Sequence, residues 1–336
     1  MELKRPSSQQ LRLGLRALKC VALAKSVELG EREREMLAGL QRFFGTDLDM
    51  DQLSAIDPDE LAEQLTDQRI RQQLVGAMVA FTSIDCEADP AEASLVSRYA
   101  TALTVDERAV RDIERLARHE RFGLRIDVLR RFWAVDELRE RVHELGLGEV
   151  LRFVKANVGR LDDKFMAVRF HSLRDLPAGT LGREYVRLLD DNGWPVPGDA
   201  GALSDIIVHH DMSHVLGGYG TDAVGEIETA CFSAGYQRKE PFTFVLFVLL
   251  QFHAGGRATA GPGAQTGDFD CERALAALER GAEMSVDLTD DWDYWEVVGV
   301  PVEELRSRYG ISSYVAVDPL SRQDCSPTSG GAIPAG

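Results

Sequence analysis

Apolar residues in this chain recur at the three- and four-residue spacing of an α-helix, and no stretch alternates apolar and polar residues as a half-buried strand would. Helix-start signals repeat along the first third. Asp57-Pro58-Asp59-Glu60 and Asp89-Pro90-Ala91-Glu92 each offer an Asp cap, a Pro at the first helical position and a Glu three residues after the cap. Thr104-Val105-Asp106-Glu107 has the form of another capping box. The pattern predicts an all-α fold. Helices are expected at about 11–27, 31–45, 58–82, 90–103 and 105–120, then at about 122–146 and 147–158.

Composition changes after that run. Ser172 to Gly182 is a Pro/Gly break before a helix from about Gly182 to Asp191, and Asp191 to Asp205 reads as a polar loop rich in Pro and Gly. Further helices are expected at about 204–217, 222–236, 242–253, 271–284 and 301–309. A chain of 336 residues is longer than one compact domain usually needs, so it is divided near residue 158 into two helical domains. Residues 1–157 form the first and 158–316 the second, and 317–336 read as a disordered tail with almost nothing to bury.

The net charge of −17 argues against nucleic acid as a partner, because phosphate binding calls for a basic face. Cys20, Cys86, Cys231, Cys271 and Cys325 are scattered, without a C-x-x-C pair, as expected of a chain in a reducing cytoplasm. The N-terminus carries Arg and Lys throughout and has no signal-type apolar core, and no transit peptide is recognised. The most apolar run, Phe242 to Phe252, is eleven residues long, against roughly 20 needed to cross a bilayer, and is expected to be a buried helix.

Chemistry concentrates between His209 and Glu226. On a helix from Ser204 to about Gly217, residues four apart share a face, so Ile206, His210 and His214 form one stripe and Ile207 and Asp211 the next. Burying two imidazoles and a carboxylate is costly unless they satisfy one another or a cation. Gly217, Gly218 and Gly220 allow a tight return, Asp222 can cap a second helix, and Glu226 lies about one turn into it beside Gly225. His210, Asp211, His214 and Glu226 can therefore converge on one cation, and two nitrogen and two oxygen donors suit Zn²⁺, with Fe²⁺ or Mn²⁺ as other choices. The alternatives are a core hydrogen-bond network without metal and a structural metal without chemistry. His209, about 100° around the helix from His210, is expected to face away from the ligands.

H-D-x-x-H, eleven residues and then Glu resembles the signature of the Coq-four family of ubiquinone (coenzyme Q) biosynthesis proteins, through His210, Asp211, His214 and Glu226. Pro177, Leu181, Gly182, Arg183 and Tyr185 resemble its upstream segment, and Pro301, Leu305, Arg306 and Ile311 its closing helix. The resemblance spans about 160–312. It implies a helical domain that binds a divalent metal, usually zinc, and acts on membrane-derived polyprenylated aromatic intermediates by removing the C1 carboxylate. It also implies contact with other quinone-biosynthesis proteins and with the inner membrane face. His210, His214 and Glu226 would be ligands and Asp211 a fourth ligand or an acid/base beside the metal, with Phe242–Phe252 a wall for the prenyl tail. Helical HD-type phosphohydrolases also use an H-D pair, but they need an upstream His and a later Asp that the spacing to Glu226 does not match.

The first domain resembles the tellurite-resistance TerB family, an all-helical domain of two related halves. Asp85 and Glu92 fall at the acidic positions of its pattern, and Glu33 echoes them in the first half, where Ser26 stands in place of the Asp. The resemblance implies an acidic cation site at Asp85 and Glu92 and a docking or sensing role, including a link to tellurite or membrane-stress response in a non-catalytic scaffold or lipid-binding module. Capping by Asp89 and Glu92 explains the same acids without an ion.

Overall fold

The computed structural model describes residues 4–82, 89–106, 110, 163–202, 205–238 and 269–314. Among them the regular structure is helical: α1 (Ser8–Ala22), α2 (Glu31–Phe44), α3 (Pro58–Gln64), α4 (Gln68–Phe81), α5 (Pro90–Ala102), α6 (Lys164–His171), α7 (Leu181–Asp191), α8 (Val208–Gly217), α9 (Ala223–Tyr236), α10 (Cys271–Ala282) and α11 (Val302–Tyr309). The helices expected at 105–120, 122–146, 147–158 and 242–253 lie outside the described residues, as does the boundary near 158.

Three elements differ from expectation. The single helix expected over 58–82 is two, because Leu65 is extended and Asp67 starts α4 by accepting from the Arg69 and Ile70 amides. Helix α6 was not expected; Asp163 caps it through the Met166 amide, at 3.0 Å. The helix expected from Ser204 begins at Val208, after a 3₁₀ turn at Asp205–Ile207, while Ser204 itself lies outside the described residues. The two Asp-Pro caps are made, but Glu60 pairs with Arg16 and Glu92 turns to Lys25, so neither Glu completes a capping box. The reciprocal box is at α1, between Ser7 and Gln10.

Two apolar cores are present. The first joins α1 to α5 through Leu15, Leu37, Leu61, Val75, Met78, Val96 and Tyr99. The second joins α7 to α11 through Tyr185, Val208, Met212, Leu216, Ile227, Phe232 and Leu305. Helix α10 belongs to both: Cys271 lies in the first core, and Ala274 and Ala277 lie in the second. It packs on α2 at Gly39, where a Cβ would stand 3.0 Å from Cys271 Cβ, and on α9 at Gly235 and Gly281. A Cβ on Gly281 would lie 1.9 Å from the Phe232 carbonyl oxygen, so the two backbones meet at a distance only glycine allows.

The segments around Pro177–Tyr185 and Pro301–Ile311, far apart in sequence, meet in space. Leu181 and Gly182 donate their amides to Val300 and Val298, and Val302 donates back to Gly179. Arg306 of α11 then reaches the C-terminus of α8, donating to the Leu216 carbonyl at 2.8 Å and the Val215 carbonyl at 3.0 Å. Arg280 of α10 takes the Gly217 carbonyl at 3.0 Å. Two cations thus satisfy the unpaired end of the helix that carries the histidines, where the helix dipole is negative.

Candidate metal centre

Helix α8 presents His210 and His214 on one face, and α9 packs against it to bring Glu226 opposite. The turn between them works as its glycines suggest. Gly218 ends α8 with φ 77°, and Asp222 caps α9 by accepting from the Gly225 amide at 2.8 Å. Nε2 of His210 is 3.2 Å from Nε2 of His214 and 3.2 Å from Oε2 of Glu226, and His214 Nε2 is 3.6 Å from Oε1 of Glu226. One ligand atom from each of the three lies within 4.8 Å of the others.

The far side of His214 decides what its Nε2 can do. Its Nδ1 lies 2.9 Å from the Gly220 carbonyl, which can only accept, so the ring proton sits on Nδ1. The Thr229 hydroxyl, 3.1 Å away, faces the same nitrogen. In the neutral ring Nε2 therefore carries the lone pair on the side of His210 and Glu226, the tautomer that metal-binding histidines adopt when a backbone carbonyl holds the other nitrogen; in the charged ring the same Nε2 bears a proton and donates to Glu226. Two imidazole nitrogens and one carboxylate oxygen are a donor set suited to Zn²⁺, Fe²⁺ or Mn²⁺, so the residues fit a divalent metal.

Charge in the cluster is mutually dependent. Burial opposes the Glu226 carboxylate, but hydrogen bonds from His210 and His214 outweigh it and hold its pKa at about 2. Burial likewise opposes the charged form of His214, and the adjacent Glu226 carboxylate overrides this and raises its pKa. Asp211 behaves differently: burial pushes its carboxyl up to about 6 against the pull of His210 and His214.

Asp211 is buried on α8 next to the ligands but is not among the ligand atoms that converge. His209 points elsewhere: its ring packs on Trp292 and Tyr294, with centroids 5.7 and 5.4 Å away, and its Nε2 lies 3.3 Å from the Trp292 carbonyl oxygen. Of the acidic positions in the first half, Asp85 lies outside the described residues. Glu92 is buried in the first core, and the cation it faces is Lys25, whose Nζ is 3.1 Å from Glu92 and 2.8 Å from Glu33. Phe242–Phe252 also lies outside the described residues. Sequence reasoning missed Gly220 and Thr229, which hold His214; the run of glycines before Asp222 was the only signal for the first. No protein-family model and no curated protein matches this chain.

Proposed function

We propose that this chain is a divalent-metal protein of quinone-precursor chemistry, which removes the C1 carboxylate from the aromatic head group of a polyprenylated benzoate. The observation that carries the reading is that three ligand atoms converge while Asp211 lies buried beside them and outside the set. Three protein ligands leave a coordination position for a substrate, whereas four would close a structural site. The three sequence segments that resemble the Coq-four family also meet around this helix pair, which supports the same reading.

His210, His214 and Glu226 would hold the metal, and a bound divalent cation supplies Lewis acidity toward the head group. Gly220 and Thr229 keep His214 in the ligand tautomer. Asp211 in its protonated form would deliver its proton to C1 as the bond from C1 to the carboxylate carbon breaks and CO₂ leaves, and would regain a proton from solvent; its buried setting keeps it able to carry a proton near neutral pH. Access to a prenylated lipid would be from the membrane face.

The test has two parts. Purified protein should carry one zinc, iron or manganese per chain, and His210→Ala should lose it; an unchanged metal content rejects the metal reading. Cells carrying Asp211→Asn should accumulate a C1-carboxylated quinone precursor at unchanged protein level. Normal quinone in those cells rejects the catalytic role and leaves a scaffold.

A further inference from the structure

A cavity of about 170 Å³ lies between the two cores, where α1, α2 and α4 face α10 and Cys231 of α9. None of its lining residues belongs to α8 or to the metal cluster. Small residues make the space. Gly14 of α1 and Gly76, Ala77 and Ala80 of α4 stand on its walls, among leucines of the first core.

Gly14 has no packing reason to be glycine. Its own helix aside, a Cβ there would meet only Leu74 Cδ1, at 3.4 Å, whereas one at Gly281 would strike the Phe232 carbonyl. Glycine inside a helix is less stable than alanine, because it loses more freedom on folding. An apolar hollow also leaves the atoms around it without dispersion partners. A molecule that fills the space offsets both deficits.

The walls say what that molecule is. Each polar side chain described along them is already engaged. Gln10 accepts from the Ser7 amide and Gln73 from the Lys4 amide. Lys4 pairs with Asp67 and Arg5 with Glu279, and the Arg5 guanidinium lies 5.6 Å from the centroid of the Phe43 ring. The Cys231 and Cys271 thiols serve as small apolar groups. Lys4 and Arg5 are the exposed residues of the lining, so the mouth lies beside them and offers no unpaired charge to an anionic head. The lining follows α1 from Gln10 to Leu18 and α4 from Ile70 to Ala80, roughly 12–15 Å of helix at 1.5 Å per residue. A rounded apolar cavity of about 150 Å³ accepts benzene. A similar volume drawn out along two helices accepts a straight chain.

We propose that this cavity is a binding site for an unbranched alkyl chain with an uncharged end, entered beside Lys4 and Arg5 and separate from the metal centre. It does not depend on the proposed function.

The experiment uses the full chain as purified, with 1-decanol as the probe. Titration calorimetry should show one 1-decanol bound per chain. Decanoate, which brings a charge to the mouth, and farnesol, which carries branch methyls, should each bind tenfold or more weakly than the alcohol. Gly14→Leu and Ala77→Leu both put side-chain carbons into the space. Each should raise the melting temperature of the ligand-free chain and weaken 1-decanol tenfold or more, with metal content unchanged. Absence of saturable 1-decanol binding overturns the site, as does binding that both variants leave intact. Decanoate bound as tightly as 1-decanol overturns the uncharged end, and farnesol bound as tightly overturns the straight chain. Altered metal content in both variants overturns the separation from the metal centre. Lower melting temperatures in both, or failure of both to fold, also overturn the proposal, by showing that the space is not open. Should one variant alone fail to fold, the other decides.

Discussion

Gly225 packs so closely on Gly220 that a Cβ at Gly225 would stand 2.1 Å from the Gly220 carbonyl oxygen, the same oxygen that accepts from His214 Nδ1. The first turn of α9 thus sets the carbonyl that sets the imidazole. Gly225→Ala should push that carbonyl away and free the His214 ring to rotate. Zinc affinity, measured by competition with a chromophoric chelator, is expected to fall 10–100-fold, the usual cost of losing a partner behind a ligand. Thr229→Val, which removes the second group facing Nδ1, should weaken zinc less.

Lys25 supplies the positive charge between two buried carboxylates at the starts of α2 and α5. Lys25→Met removes a cation that both carboxylates contact. Urea denaturation should show a loss of about 3 kcal/mol, as for other buried pairs stripped of one partner. Adding Glu33→Gln to that variant should recover a large part of the loss; an additive further loss would show that the pairing carries no such weight.

Burial pushes the Cys231 thiol up to about 12 and raises Cys271 as well. The thiolate is the reactive form, so in folded protein at pH 8 neither should be alkylated by N-ethylmaleimide within hours, and both should react at once in urea. The sign for stability follows from linkage. In the unfolded chain these thiols ionise near their ordinary value of 9, while in the folded chain they keep their protons to higher pH. Stability is therefore whole below about pH 9 and falls as pH rises toward 12. Cys231→Ser should make the fall shallower and leave the share that Cys271 and the buried tyrosines contribute.

Much of the site is legible in residue spacing because its parts are local. Two histidines four apart, glycines, a capping Asp and a Glu one turn later leave few ways to arrange a helical hairpin, and the hairpin forms from Val208 to Tyr236. What could not be read depends on contacts between distant or main-chain groups. Nothing in the letters places the Gly220 carbonyl behind His214, brings Arg306 to the end of α8, or turns Glu92 from its helix start toward Lys25. The break at Leu65–Asp67 was hidden because Leu61 and Leu65 keep the helical period, while Asp67 caps a new helix through two amides. Asp211 shows the limit most plainly: its position on the helix is given by counting, but its place beside the ligand atoms and not among them is given by packing.

Helix α10, held to α9 by facing glycines and to α2 by Cys271, gives the molecule a party wall: the two cores have no separate boundaries there to fail one at a time. Heating should therefore give one calorimetric peak whose van't Hoff and measured enthalpies agree, with zinc shifting the whole peak. Gly281→Ala, which forces α10 off the Phe232 carbonyl, should lower that single peak and not split it. A cation held by α8 and α9 would then stiffen helices that never touch it, and anything that grips α1 to α5 would be felt at the histidines.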